Sequence, residues 1–307
     1  MLRKLLIGVF AGITMLVTPT FAKGKKGKAE LVTAEQVESA LLWKISGKGA
    51  KESYLFGTIH MICKEDYLFS DKMTKAYKNS DVLALEINLS DPSVTMQLAM
   101  GMMAKDGKTL ESYFTPEEFA QLDKMLTDKM GVSISQFNQF QPIFLMSLVA
   151  PSLFPCEQLE MYDMNLLNMA MTDSLEIVGL ETIETQIAAL AATPPEKIAE
   201  QVKEYLASIN GTTNEVDSSA LELQYMVDAY KKQDIKAMQH LVAESKGFDD
   251  NAKHKLLDER NEAWIPVIEQ LIKSKKALIA VGAGHLAGPR GVVSLLRDAG
   301  YKVTPVY

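Results

Sequence analysis

Two of the four histidines in this 307-residue chain stand in the same setting. One ends the run Tyr54-Leu55-Phe56-Gly57-Thr58-Ile59-His60, and the other ends Ala277-Leu278-Ile279-Ala280-Val281-Gly282-Ala283-Gly284-His285. Each reads as a short apolar strand passing straight into Gly-x-x-His. In open α/β sheets, ligands sit beyond the carboxyl ends of the strands, so both imidazoles are placed for chemistry. They could share one metal ion or act as an acid and base pair; a purely structural turn at each motif is the plain alternative. Glu86 closes the apolar run 81–87, and Glu181 follows the short run 175–178 within Gly179-Leu180-Glu181-Thr182. A carboxylate in an apolar run is either paired, held by a metal, or turned to solvent at a sheet edge. Two imidazoles and one carboxylate leave open coordination positions, and a second carboxylate can then serve as general base. Arg260 and Asn261 share a helix with Trp264. An arginine there can clamp a carboxylate or an oxyanion, and an asparagine can donate a hydrogen bond; surface salt bridging is the alternative for both. His240 and His254 fall on charged amphipathic helices and read as surface residues.

The elements that must position these groups can be read from periodicity. Residues 41–46 and 53–58 flank Gly47-Lys48-Gly49 and predict an antiparallel hairpin. A helix over 70–79 and a buried strand over 81–87 complete a strand, Gly-x-x-His loop, helix, strand unit. The C-terminal end repeats it: strand 277–281, loop 282–285, helix 292–299 ended by Gly300, strand 302–306. Between the two units the chain is mostly helical. Thr115-Pro116-Glu117-Glu118 is a capped helix start. Further helices are predicted over 135–149, 157–171, 196–208, 218–231 and 249–273. Met96, Met100, Met102 and Met103 form a thioether-rich helix face, for which core packing is the first expectation. Gly282-x-Gly284-x-x-x-Gly288 has the look of a nucleotide-binding loop, but residues 302–307 offer no acidic partner for a ribose.

Residues 1–22 read as a signal peptide, with Arg3 and Lys4, an apolar core over 5–17 and a small-residue cleavage site at Thr20-Phe21-Ala22. A basic tail over 23–35 and one domain over 36–307 follow, with a helical insertion at about 92–274. The net charge of −7 becomes −9 once the two leader cations are removed. That acidity argues against nucleic acid as a partner. The apolar core of the leader is short for a membrane span, so no stable anchor is expected after cleavage. In an exported protein the two cysteines, Cys63 and Cys156, point to a disulfide.

Five motifs in order carry a family resemblance: Phe56-Gly57-Thr58-Ile59-His60, the Leu85-Glu86 strand end, Gly179-Leu180-Glu181-Thr182, Glu259-Arg260-Asn261, and Val281-Gly282-Ala283-Gly284-His285-Leu286-Ala287-Gly288. Together they resemble the TraB/GumN (PrgY/TIKI-like) family across nearly the whole mature chain. The resemblance implies an α/β fold with a mixed central sheet and a large helical insertion, like the erythromycin-esterase and ChaN-like proteins. It also implies metal-dependent proteolysis, in which His60, His285 and Glu86 match the two histidines and the acid. Glu181, Arg260 and Asn261 match further motif positions; Asp163 falls where relatives often have Gly-x-Asp, with Tyr162 departing from that pattern. The reading that results is an exported, metal-dependent hydrolase of a peptide or small-molecule substrate. It places Mn²⁺, Co²⁺ or Zn²⁺ on His60, His285 and Glu86, and assigns supporting roles to Glu181, Arg260 and Asn261. The alternative is a non-catalytic periplasmic protein that binds a peptide or a haem-like ligand.

Overall fold

The computed structural model describes residues 38–209, 218–244 and 248–307. The leader and the whole basic tail lie outside the described residues. Among the described residues eight strands form in the order β1 (Leu42–Ser46), β2 (Ser53–Thr58), β3 (Ile62–Cys63), β4 (Val82–Leu85), β5 (Leu159–Glu160), β6 (Glu176–Gly179), β7 (Ala277–Gly282) and β8 (Lys302–Pro305). Six of them make one mixed sheet, ordered β6-β4-β7-β2-β1-β8. β6, β4, β7 and β2 run parallel, while β1 is antiparallel to both β2 and β8. The two units anticipated from the sequence therefore share one sheet. β2 returns through helix Asp71–Lys78 to β4, and β7 returns through helix Val292–Asp298 to β8. β4 and β7 are buried along their whole length, as continuous apolar strands in a parallel sheet must be.

Register brings the strand ends together. Thr58 pairs with Gly282, and Leu85 pairs with both Ala280 and Gly179. Four parallel strands thus finish along one edge, and each releases a motif residue just beyond it. Pairing runs on past β4 and β6, where Leu180 N donates to Leu85 O at 2.9 Å and Glu181 N to Glu86 O at 3.1 Å. Gly57 is required here, because a Cβ would stand 2.6 Å from Leu286 Cδ1 and 3.2 Å from Ala283 Cα. The β2 and β7 loops can pack together only with that side chain missing.

Between β4 and β7 the chain is helical except for β5 and β6. Helix Pro116–Met130 has the predicted Thr115 and Glu118 capping box and ends at Gly131 with φ +67°. Helix Ser218–Lys231 has the predicted bounds. The expected helix 135–149 is broken: a 3₁₀ turn at Ile134–Phe137 precedes helix Ile143–Val149, because Pro142 excludes a helical conformation for the residue before it. The expected helix 157–171 begins later, at Tyr162, after β5. The methionine face is also corrected. Met96, Met100 and Met103 are exposed and only Met102 is buried. Helix Pro92–Gly101 instead buries Leu98, and Gly101 lies against Ile187.

Cys63 and Cys156 form a disulfide with Cα atoms 5.9 Å apart. It reinforces the two-stranded β3–β5 sheet, in which Cys63 pairs with Leu159. His240 and His254 are exposed, as anticipated. No helix among the described residues is long and apolar enough to cross a membrane.

One buried acid stands apart from the motifs. Glu222, on helix Ser218–Lys231, is 6% exposed, and neither carboxyl oxygen has a hydrogen-bond partner among the described residues. Burial pushes its carboxyl up to about 8. The folded chain therefore holds this proton over a range where the unfolded chain has released it, and stability falls as pH rises from the ordinary carboxyl range toward 8. In thermal and urea melts, Glu222→Gln will match wild type near pH 5. At pH 8 it will be more stable than wild type, because the amide has no proton to lose, and the gap will grow steadily as pH rises from 5.

Candidate active site

The five sequence motifs meet at one place. His60 lies two residues beyond β2, Glu86 one beyond β4, Glu181 two beyond β6 and His285 three beyond β7. Helix Glu259–Ser274 supplies Arg260 and Asn261 from its buried face, which continues through Trp264, Ile268 and Ile272 at helical spacing. A π turn at His254–Asp258 precedes it. Such turns shift helical register and recur at functional positions.

Gly282 is the common point. A Cβ built on it would lie 3.4 Å from Glu86 Oε1, 3.5 Å from His285 Cδ2 and 3.8 Å from His60 Nε2. Residues separated by more than 200 positions in sequence therefore border the bare backbone of Gly282.

The two imidazoles have different supports. His285 Nδ1 is 2.6 Å from Asn261 Oδ1. The amide is oriented by Asn261 Nδ2 donating to Arg290 O at 2.8 Å, so Oδ1 accepts and His285 carries its proton on Nδ1. Its Nε2 lone pair then faces Arg260 Nη1 at 3.3 Å and lies 3.9 Å from Glu86 Oε1. Burial, together with Arg260 and His60, pulls this imidazole down to about 3 against the opposing pull of Glu86. His285 is a neutral donor ligand or hydrogen-bond acceptor at any physiological pH. His60 Nδ1 instead lies 3.3 Å from Asp163 Oδ2, while Asp163 Oδ1 accepts from Thr58 Oγ1 at 3.1 Å. Burial works to lower the His60 value, but the hydrogen bond and charge of Asp163, aided by Glu86, outweigh it and raise the imidazole. The sequence had left Asp163 without a role; it orients His60.

Arg260 ties the carboxylates together. Its Nη2 donates to Glu86 Oε2 and to Glu181 Oε1, both at 2.6 Å, and its Nε donates to Glu181 Oε1 at 2.9 Å. Nη1 also donates to Leu256 O at 2.9 Å, within the π turn. Glu86 accepts further bonds from Gly282 N at 2.8 Å and Gln186 Nε2 at 3.2 Å. Burial alone would raise Glu86, but Arg260, both imidazoles and the Gly282 N–H hold it ionised, at about 2. Glu181 behaves oppositely, because burial outweighs Arg260 and raises it. Its two oxygens are committed to Arg260, so Glu181 holds the guanidinium rather than moving a proton. Gln186 escaped the sequence reading. Its only signal was its place four residues after the Thr182 cap, on the helix leaving the Glu181 turn.

The donors suit a divalent cation in kind. They are one anionic carboxylate and two imidazoles whose Nδ1 atoms are each tied to an oxygen, which directs Nε2 inward. Arg260 now takes the lone pair that His285 would offer. The only group of three ligand-type side chains within a mutual 4.8 Å among the described residues is Cys63, Glu65 and Cys156. Its sulfurs are bonded to each other, so it is no thiolate site.

No solved structure matches this chain. It is similar to Metalloprotease TIKI1 of Danio rerio, 22% identical over 349 residues that cover 95% of this chain and 68% of that protein. Human Metalloprotease TIKI1 is 21% identical, over 94% of this chain and 67% of its own length. The uncharacterised protein YbaP of Shigella flexneri is 24% identical, over 81% of this chain and 89% of its own length. The TraB/PrgY/gumN family profile matches residues 41–305, and the chain belongs to that family.

Proposed function

We propose that this protein is an exported, metal-dependent hydrolase that acts on peptides. The observation that carries the proposal is the convergence of His60, Glu86 and His285 on the bare backbone of Gly282. The metalloprotease names of the TIKI1 relatives agree with it. The Cys63–Cys156 disulfide supports export to an oxidising compartment. A kinship of the mixed sheet with erythromycin-esterase and ChaN-like folds belongs to the same proposal.

His60, Glu86 and His285 would hold Mn²⁺, Co²⁺ or Zn²⁺. When bound, such an ion acidifies water and polarises a carbonyl. The protein's own groups do the rest. Asp163 and Asn261 fix the tautomers of the two imidazoles, and Glu181 fixes Arg260. Arg260 stays charged under all working conditions, and its N–H groups hold Glu86, Glu181, the Leu256 carbonyl and His285 Nε2 in place. The raised His60 sets the pH response: its Nε2 becomes available only as pH climbs above its raised value, so ion binding weakens on acidification through that range.

Calorimetric titration tests the site directly. Wild type is expected to bind one divalent ion per chain, and His60→Ala and His285→Ala each to abolish binding. Asp163→Asn will weaken it roughly 10–100-fold, as loss of a group that orients a ligand histidine does. Gly282→Ala will fold and fail to bind, since its methyl group occupies the point the three residues share. Equal binding by wild type and both histidine variants overturns the reading. For Arg260, urea unfolding of Arg260→Met should show a loss of about 3–5 kcal/mol, because two buried carboxyl groups lose their cation. Arg260→Lys will recover only part of that, having no fork to reach both.

A further inference from the structure

A cleft opens directly from the site. It is continuous with solvent and lies between two walls of different chemistry. One wall is the sheet edge, with His60, Gly282 and His285. The other comes from the helical insertion and the segment leading to the π turn, with Met226, Met238, Val242, Phe248 and Leu257. Among the described residues no acidic side chain lines it. The one lining lysine, Lys253, donates to the carbonyl of Ala243. The insertion wall offers thioether, branched and aromatic carbon, and no carboxylate to receive a cationic side chain.

We infer that this cleft is the subsite for a large apolar side chain adjoining the scissile bond, so the substrates are peptides with leucine, methionine or phenylalanine at that position. The inference rests on the hydrolase reading for the word scissile. The physical basis is continuity: whatever occupies the cleft touches the reacting histidines on one side and carbon on the other. Transferring a leucine-sized side chain from water to such a wall is favourable. A lysine side chain there loses hydration and meets no carboxylate, and an aspartate side chain loses it with only Lys253, already bonded to the Ala243 carbonyl, to meet. Methionine adapts its shape to its neighbour, so Met226 and Met238 accept branched, unbranched and aromatic side chains alike. The insertion sets the preference and the sheet edge performs the chemistry.

Binding is measured first, without turnover. The mature chain is labelled at its methionine methyl groups, and Met226 and Met238 are assigned through Met226→Leu and Met238→Leu. N-acetyl-L-leucinamide is expected to shift both signals and to bind at least tenfold more tightly than N-acetyl-L-aspartamide or N-acetyl-L-lysinamide. Val242→Trp, which fills the cleft, is expected to weaken leucinamide binding at least tenfold with an unchanged melting temperature. If that variant fails to fold, the wild-type titrations decide alone. Equal binding of the three amides, or leucinamide binding that leaves both methyl signals in place, overturns the inference. Cleavage of a peptide library is the second arm. A chain that shows the shifts and cleaves nothing keeps the apolar cleft and refutes the hydrolase reading. A chain that cleaves without at least a tenfold apolar preference keeps the hydrolase and refutes the subsite.

Discussion

The buried guanidinium of Arg260 is the constraint on which the rest of the site depends. It bonds two carboxylates, a backbone carbonyl and the open nitrogen of His285, and is 5% exposed. Bringing one cation and two carboxyl groups out of water is costly, and the cost is recovered only if geometry and hydrogen bonding are close to complete. Three strand ends must therefore arrive together: β4 with Glu86, β6 with Glu181 and β7 with His285. The parallel register of those strands satisfies that demand. The π turn before Arg260 matters for the same reason, since its Leu256 carbonyl receives the N–H that the carboxylates leave over. Two carboxyl groups against one guanidinium leave the cluster short of positive charge. Glu86 contributes to the raised value of His60, against the opposing charge of Arg260.

The other half of the site is held by a different device. His60 is not locked by Arg260. It depends on Asp163, which stands at the start of helix Tyr162–Asp173, far away in sequence. The Cys63–Cys156 bridge and the β3–β5 pairing tie the segment after His60 to the segment before Asp163. A covalent link thus does for His60 what an ion cluster does for His285. Two identical motifs end with opposite properties: one imidazole is raised by a carboxylate, and the other is held neutral by an amide and a neighbouring cation. The local motif sets where the ring stands, and its partners set what the ring can do.

That division also explains what could be read beforehand. Strands β2, β4 and β7, the hairpin turn, the Thr115 cap and both Gly-x-x-His loops are written in contiguous residues, and periodicity exposes them. Glu86 remained ambiguous because alternation cannot tell a solvent-facing carboxylate from one whose partners lie nearly 200 residues away. Asp163, Gln186 and the committed state of Glu181 are properties of tertiary contact and leave no pattern in the local sequence. Pro142 breaks a stretch whose apolar periodicity by itself predicts one continuous helix. The methionine face misled for a related reason: Met96 and Met100 have core-like composition, but the helix carrying them meets its neighbour through Leu98 and Gly101.

The two walls of the cleft come from separable parts of the chain. The reactive wall is bound into the sheet by register, by Arg260 and by the disulfide, so a shift in any of its members disturbs buried charge. The apolar wall is drawn from helices Ser218–Lys231 and Ile235–Glu244 and from the segment entering the π turn. Its contacts are between carbon surfaces that tolerate exchange of similar volume at modest cost. Changes in these two helices can therefore alter which side chain fits without touching the ionic lattice behind Gly282. A change at Glu86, Glu181 or Arg260 has no such freedom, because each leaves a buried partner uncompensated. In the proposed hydrolase, chemistry and selectivity thus fall to the rigid and the adaptable parts of the same fold.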